Sequence, residues 1–349
     1  MSRKMIVAGV ASLGLLLSAC GSNSDAGDSS KITFASYGGE TQDFQAETLQ
    51  EPFTEKTGIQ VENASPPDIG KIRPQIESGN VKWDVASTGF DDLEKYCGKY
   101  FMELPDDLID PKAVYGDMAD AYTNNCGIAH YTAPSIQFYN TELFADNPPD
   151  SLEDVFDTEK YPGTRIFLPY VSTGILEIAL LADGVPADDL YPLDVDRAFE
   201  KLDTIREDSI FPDSYGELQQ AYASGNVAIG FSTPSRAAYT IEDGAPYEPV
   251  WDKTVSIPEY FAALKGAPNV DGAMEYLKYT AQAEPQAAEA EKTGLPPVNV
   301  DAKPEYSELQ KELDVNQKEH LETVIPLDAE WWGKHTDEML ERFTAWKVG

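Results

Sequence analysis

Three histidines, His130, His320 and His335, supply every imidazole in the 349-residue chain. None stands at metal-ligand spacing from a cysteine or from another histidine, and no Gly-x-Ser-x-Gly elbow occurs. The sequence therefore argues for no metal site, no cofactor and no catalytic residue. Paired carboxylates, the equipment of glycoside hydrolysis, survive as an enzymatic alternative, because a sequence does not carry their separation. Polar groups gather instead where apolar runs stop. Lys31 to Tyr37 alternates as a strand and breaks at Gly38-Gly39, so the Tyr37 phenol and the amides of Gly38 and Gly39 come to a strand end. There they reach a ligand, or pack beside a turn. Trp83 to Ala86 reads as a buried strand leading into Ser87, Thr88 and Gly89, whose hydroxyls can donate hydrogen bonds.

The elements that must position them alternate between strand and helix. After Gly39 a helix is expected with Phe44, Leu49 and Phe53 near one face, Pro52 as a possible kink and Gly58 as its stop, followed by the strand Ile59-Gln60-Val61. Ile69, Ile72 and Ile76 recur at helical spacing and end at Gly79-Asn80. Further on, Ile166 to Leu168 reads as a strand, Gly174 to Leu181 as a buried helix, and a helix from Asp194 places Ala198, Leu202 and Ile205 on one side. Ser214 with Glu217 predicts a capping box before a helix that stops at Gly225-Asn226, and Val227 to Phe231 reads as the next strand. Helices over Asp271 to Thr280, from Pro285 to Gly294, and around Trp331, Trp332 and Trp346 complete the pattern. Strands alternating with helices predict α/β lobes with mainly parallel sheets. The length predicts about two domains.

Arg3 and Lys4 precede an apolar run from Met5 to Leu17, too short for a stable membrane span, so 1–19 reads as a secretory signal. The junction Leu17-Ser18-Ala19-Cys20-Gly21 resembles the lipobox of bacterial lipoproteins, which implies Cys20 as a lipidated mature N-terminus. The competing reading is an ordinary signal peptide with an incidental cysteine. Residues 20–30, rich in Gly, Ser, Asn and Asp, read as a flexible tether. An exported compartment permits a disulfide between the remaining Cys97 and Cys126, two buried thiols being the alternative. The formal net charge is −35, and the signal segment contains two bases and no acid, so the mature chain is more negative still. Nucleic-acid binding is excluded on this ground, since a phosphate backbone needs a basic footprint. The acidity either draws cationic solutes toward a cleft or reflects a solvated surface suited to salt.

A series of blocks, in order, resembles the extracellular solute-binding proteins of the spermidine/putrescine type, the substrate-binding lipoproteins of ABC importers. They are FTEKTGIQV from Phe53 to Val61, Trp83-Asp84-Val85, STGILEIALLADGV from Ser172 to Val185, and LYPLDVDRAFEKL from Leu190 to Leu202. Then come Val250-Trp251-Asp252, Lys265 to Asn269, Pro296 to Asn299, and Leu327-Asp328 through Trp331-Trp332 to Arg342 and Trp346. The resemblance implies a type II periplasmic-binding-protein fold, two α/β lobes joined by crossover hinge segments with the ligand between them. Lobe one is expected at 31–136 plus 260–305 and lobe two at 137–259 plus 306–349. It further implies capture of a small, amine-bearing solute outside the cytoplasm, closure about a hinge and delivery to an ABC permease by a lipid-anchored monomer. A ferric-ion binder of the same fold tends to use adjacent tyrosines, and no Tyr-Tyr pair occurs.

An ammonium leaves water at a cost of several kcal/mol, so an amine site needs a carboxylate partner and aromatic faces. By family position Glu259 stands where relatives carry an amine-binding aspartate, with Tyr260 and Phe261 next to it; a surface glutamate is the alternative. Tyr170, Thr173 and Glu177 occupy a strand-to-helix turn that gives relatives polar contacts, although Glu177 also fits an ordinary first-turn acid. Two departures narrow the resemblance. Relatives show Trp-Asn-Gly-Arg where this chain has Thr233-Pro234-Ser235-Arg236, and Leu295 replaces a frequent tyrosine. The missing aromatic walls leave room for an amino-acid derivative, whose carboxylate Arg236 can meet bidentately, unless Arg236 serves a structural salt bridge.

Overall fold

The computed structural model describes residues 29–349. The expected signal segment, Cys20 and the tether up to residue 28 lie outside the described residues. Within them no helix is long and apolar enough to cross a membrane.

Among the described residues nine strands form one mixed sheet: β1 Lys31–Ala35, β2 Gln60–Ala64, β3 Val85–Gly89, β4 Ile128–Asn140, β5 Thr164–Ile166, β6 Ser209–Ile210, β7 Val227–Ser232, β8 Tyr247–Ala263 and β9 Val324–Pro326. The order is β2-β1-β3-β8-β4-β7-β5-β6, with β9 beside β8. β1 pairs in parallel with β2 and β3, and β5 with β6 and β7. β8 runs antiparallel to β3 and β4, and β4 antiparallel to β7. The mainly parallel sheet expected from the sequence is thus corrected at its centre. Two long strands return through both lobes and join them there.

β4 and β8 are the crossovers. Ile128 to Ser135 of β4 faces β8 from Phe261 back to Val255, while Gln137 to Asn140 faces Val250 to Tyr247. Between these stretches β8 carries the surplus residues Trp251 to Thr254, so the ladder breaks between the lobes. Thr254 to Ser256 also pairs with β9. Pro134, Pro249 and Pro258 lie in these strands; proline is tolerated at bulges and breaks, where a ladder donor is not required.

Alternation sends side chains of lobe one to two layers. Ile32, Phe34, Val85, Ile128, Phe261 and Ala263 pack with Leu49, Phe53, Tyr276 and Leu277 from helices on one face. Ala35, Ala86, Ala129, Tyr260 and Ala262 face the other way, with Ile72, Phe90 and Leu93. Asp84 locks the frame, its carboxylate accepting from the Thr33 and Asn269 amides at 2.7 Å each. Asn269 in turn caps the helix Val270–Thr280 by accepting from Gly272 N–H.

Helix ends follow local chemistry. Gly58 and Gly294 take left-handed conformations as C-caps, Asp194 caps Val195–Asp203, and Ser214 caps Tyr215–Ala223. The expected capping box at Ser214 is only half formed, because the Glu217 carboxylate accepts from Asp213 N–H rather than from Ser214. The first helix is re-registered along its length: Gly39–Gln45 passes into a π-helical turn at Ala46–Gln50, then Glu51–Thr57. Pro52, which has no N–H for the carbonyl a turn earlier, sits just beyond that change. Cys97 and Cys126 are joined, tying the end of the helix Phe90–Tyr96 to the segment that enters β4.

Candidate functional site

The strand ends of lobe one bring an acid and a phenol together. Glu259 lies on β8 between Gly89 of β3 and Tyr131 of β4. Although one residue before the expected lobe boundary, it therefore stands on the lobe-one sheet. The Tyr37 hydroxyl donates to Glu259 Oε2 at 3.2 Å. Gly38 and Gly39 both have positive φ, 76° and 63°, which lets the chain turn away at once beyond Tyr37.

A bulge prepares the other side. Ala129 pairs with Tyr260 and Tyr131 with Glu259, so His130 is the extra residue, and Tyr131 arrives directly across from the acid. The Ser87 hydroxyl is buried beside the Tyr131 phenol and is left without a well-formed hydrogen bond among the described residues.

Next to Glu259 the chain continues from Gly89 into Asp91 and Asp92. A Cβ at Gly89 would lie 2.9 Å from Asp91 Oδ1, so glycine makes room for that carboxylate beside the strand. Asp91 reaches across to Ser172 of lobe two. Burial pushes the Glu259 carboxyl up to about 8; the Tyr37 hydrogen bond opposes the rise, and Asp91 and Asp92 add to it. Burial and then Asp91 push Asp92 up to about 7. Tyr37 is also raised, by burial of its hydroxyl and then by Glu259.

Lobe two contributes a cation with an aromatic seat. Arg236 lies in the first turn of the helix Pro234–Glu242, its guanidinium 4.5 Å from the centre of the Tyr215 ring. Tyr170 meets Tyr215 edge to face at 5.7 Å. No carboxylate lies within 4.0 Å of Arg236 among the described residues, so the salt-bridge alternative for it is not what the structure shows. Tyr215 lies within electrostatic reach of both Glu259 and Arg236, and so does Tyr131. The acid and the base thus border the same tyrosines without pairing. Tyr37 and Tyr170, one from each lobe, are each 51% exposed, the most open aromatic side chains among the described residues.

Other sequence candidates sit elsewhere. Tyr260 follows Glu259 on a strand and so points to the opposite face, where its hydroxyl donates to Tyr122 O at 3.1 Å inside the lobe-one core. Glu177 is fully buried and accepts from Tyr191 Oη–H at 2.6 Å and Trp332 Nε1–H at 2.7 Å, which ties the C-terminal helix Ala329–Val348 to lobe two. Thr173 spends its hydroxyl on Tyr170 O at 2.6 Å, within its own turn. Thr88 is buried beside Gly89 O. Gly174, with φ 94°, ends that turn against β8, where a Cβ would come 2.4 Å from Val255 Cγ1. Sequence reasoning missed Tyr131, Tyr215, Asp91, Asp92 and Ser172. Only Asp91 and Asp92 carried a local signal, as first-turn acids after a strand-end glycine.

The sequence model of a family described as bacterial extracellular solute-binding protein matches residues 48–321. The chain belongs to that family. This solute-binding protein is 30% identical over 327 residues, 91% of each chain, to the gamma-aminobutyric acid-binding protein of Pseudomonas aeruginosa. Its fold superposes on a structure described as the Atu4243–GABA receptor with a TM-score of 0.83, at 33% identity, covering 91% of this chain and 97% of that one. The spermidine/putrescine transporter's substrate-binding protein from Streptococcus pneumoniae shares the fold at a TM-score of 0.71, with 19% identity, covering 91% of this chain and all of that one. At that identity the likeness speaks for the architecture alone. Membership of an extracellular family places the protein's work outside the cytoplasm.

Proposed function

We propose that this protein captures a small zwitterion bearing a terminal amine and a carboxylate, of the γ-aminobutyrate class, and hands it to an ABC permease. The observation that carries the reading is the unpaired couple of Glu259 and Arg236, opposite in sign and bordering the same tyrosines from two lobes. An ammonium placed on Glu259 regains a charge partner, and Tyr37 and Tyr131 offer π faces beside it. A carboxylate placed on Arg236 meets a planar donor fork, which suits it better than an ammonium would. Two relatives whose names specify γ-aminobutyrate support the same chemistry.

A polyamine fits less well, because its second ammonium would approach the Arg236 guanidinium. In this reading Ser87 and the amides of Gly38 and Gly39 supply further hydrogen bonds, and Tyr170 covers the ligand from lobe two. With the lobes meeting at 136/137 in β4 and at Trp251–Thr254 in β8, rather than at 259/260, Glu259 stays with lobe one and the two halves close about that break. The lipid on Cys20 keeps the monomer near its permease. A thermal-shift panel tests the reading. A ligand at a hundred times its Kd stabilises by about 2.7 kcal/mol, so γ-aminobutyrate should raise the midpoint, while butyrate and butylamine, each lacking one charge, should not. Stabilisation by spermidine or putrescine in preference to γ-aminobutyrate would restore the polyamine reading instead.

A further inference from the structure

Behind the ligand-facing residues of lobe one runs a buried polar seam that ligand contact alone leaves without a task. Its centre is Glu289, in the helix Ala283–Thr293 and 3% exposed. Glu289 Oε1 accepts from the Gln45 amide at 3.0 Å, and Oε2 meets His130 Nε2. Gln45 Oε1 accepts from Ser36 Oγ at 2.7 Å. His130 Nδ1 lies 3.1 Å from the Thr280 carbonyl. A carbonyl can only accept, so Nδ1 carries a proton and donates it there. Nε2 then faces the Glu289 carboxyl, which completes the seam.

Each end of the seam adjoins a residue of the site. Ser36 precedes Tyr37. His130 is the extra residue of the bulge that brings Tyr131 opposite Glu259. The His130 ring also stacks on Phe261, with centroids 4.2 Å apart, and Phe261 lies two residues from Glu259 on the same face of β8. Gln45 ends the helix Gly39–Gln45 where the π-helical turn begins, an irregularity that recurs near functional sites. Apolar side chains would fill this volume about as stably. Directional bonds instead set the distance between the ends of β1 and β4, and the stacked His130 ring lays β8 beside them.

We propose that Glu289, Gln45 and His130 are positioning residues that hold Tyr37, Tyr131 and Glu259 at the spacing a ligand ammonium requires. The ammonium comes from the functional reading above, whereas the positioning itself can be measured without any ligand. The test uses the full chain with 13C-labelled tyrosine rings and four variants. In Gln45→Leu and Glu289→Ala the ligand-free Tyr37 and Tyr131 resonances should shift. In Glu289→Gln they should return close to the parent's, because the new amide donates to His130 Nε2 and accepts from Gln45. In Ile72→Ala, a buried change in the opposite layer of the same lobe that takes part in none of the seam's hydrogen bonds, they should stay in place. Affinity for γ-aminobutyrate should fall roughly tenfold in the first two variants and recover in Glu289→Gln. Should Glu289→Ala not fold, Gln45→Leu, which keeps the His130–Glu289 contact, carries the test. Resonances that hold still in Gln45→Leu, or move as far in Ile72→Ala, overturn the proposal. Shifted resonances in a parent that binds no γ-aminobutyrate sink the ligand reading and leave the positioning role intact.

Discussion

Lowering the pH should weaken ligand capture by an amount set by Glu259. Its carboxyl is pushed up to about 8, chiefly by burial, whereas an unperturbed glutamate titrates near 4.3. A bound ammonium favours the ionised carboxylate, so binding below pH 8 must expel a proton. At pH 8 half the sites are ionised and two pH units lower roughly one in a hundred, so the association constant should fall about fiftyfold between pH 8 and pH 6. The ligand's own amine and carboxyl hold their charges across this window, as Lys-like and Glu-like groups do. Titration calorimetry at pH 7, where phosphate and Tris can both take up the released proton, should give heats in the two buffers that differ by their ionisation enthalpies times about one proton per ligand. At pH 9 the difference should vanish. The empty protein should show the converse: a carboxyl raised in the folded state stabilises below its unfolded value, and that contribution is lost as pH rises through 8. Asp92, pushed up to about 7, adds in the same direction. An affinity that stays flat from pH 6 to 8, with no buffer-dependent heat, would refute the assignment of the ammonium to Glu259.

Three further outcomes follow from the scaffold. Glu177→Ala should cost about 3–4 kcal/mol in urea unfolding, because Tyr191 and Trp332 lose their acceptor in a closed space; Glu177→Gln, which keeps one acceptor oxygen, should stay within about 1 kcal/mol of the parent near pH 7. Reducing Cys97–Cys126, which closes a loop of sequence separation 29, should lower stability by about 3–4 kcal/mol, and a reduced chain of unchanged midpoint would contradict that. With a net charge of −35 the folded chain repels itself, so raising NaCl from 0.1 to 1 M, which shortens the screening length from about 10 to about 3 Å, should raise the thermal midpoint.

Local signals placed what local forces determine. Gly58, Gly294, Asp194 and Ser214 terminate or start helices through their own conformation or side chain, and each was readable in sequence. The 13-residue β4 and 17-residue β8 were not. They are buried through much of their length, so they do not alternate in polarity, and their prolines argue against a strand until the bulges are seen. Tyr131 was invisible for that reason. Tyr215 read as an ordinary first helical residue after Ser214.

Tyr260 was within reach of sequence reasoning, since a residue next to Glu259 on any strand must face away from it. Glu177 was not, because only the return of the C-terminal helix brings Trp332 to it. The blocks that carry the family resemblance explain why the ligand stayed open. Asp84 and Asn269 tie strands together, Asp252 accepts from Leu152 N–H, and Trp332 anchors a helix. They specify the scaffold, while Glu259, Arg236 and the tyrosines around them are the residues proposed to decide what it holds.

A crystal structure of the protein with γ-aminobutyrate puts the central claim to its most direct test. The ammonium should lie within hydrogen-bonding distance of Glu259, and the carboxylate should meet the Arg236 guanidinium above Tyr215. Ligand density that is reversed in direction, or that lies away from both side chains, would contradict the account.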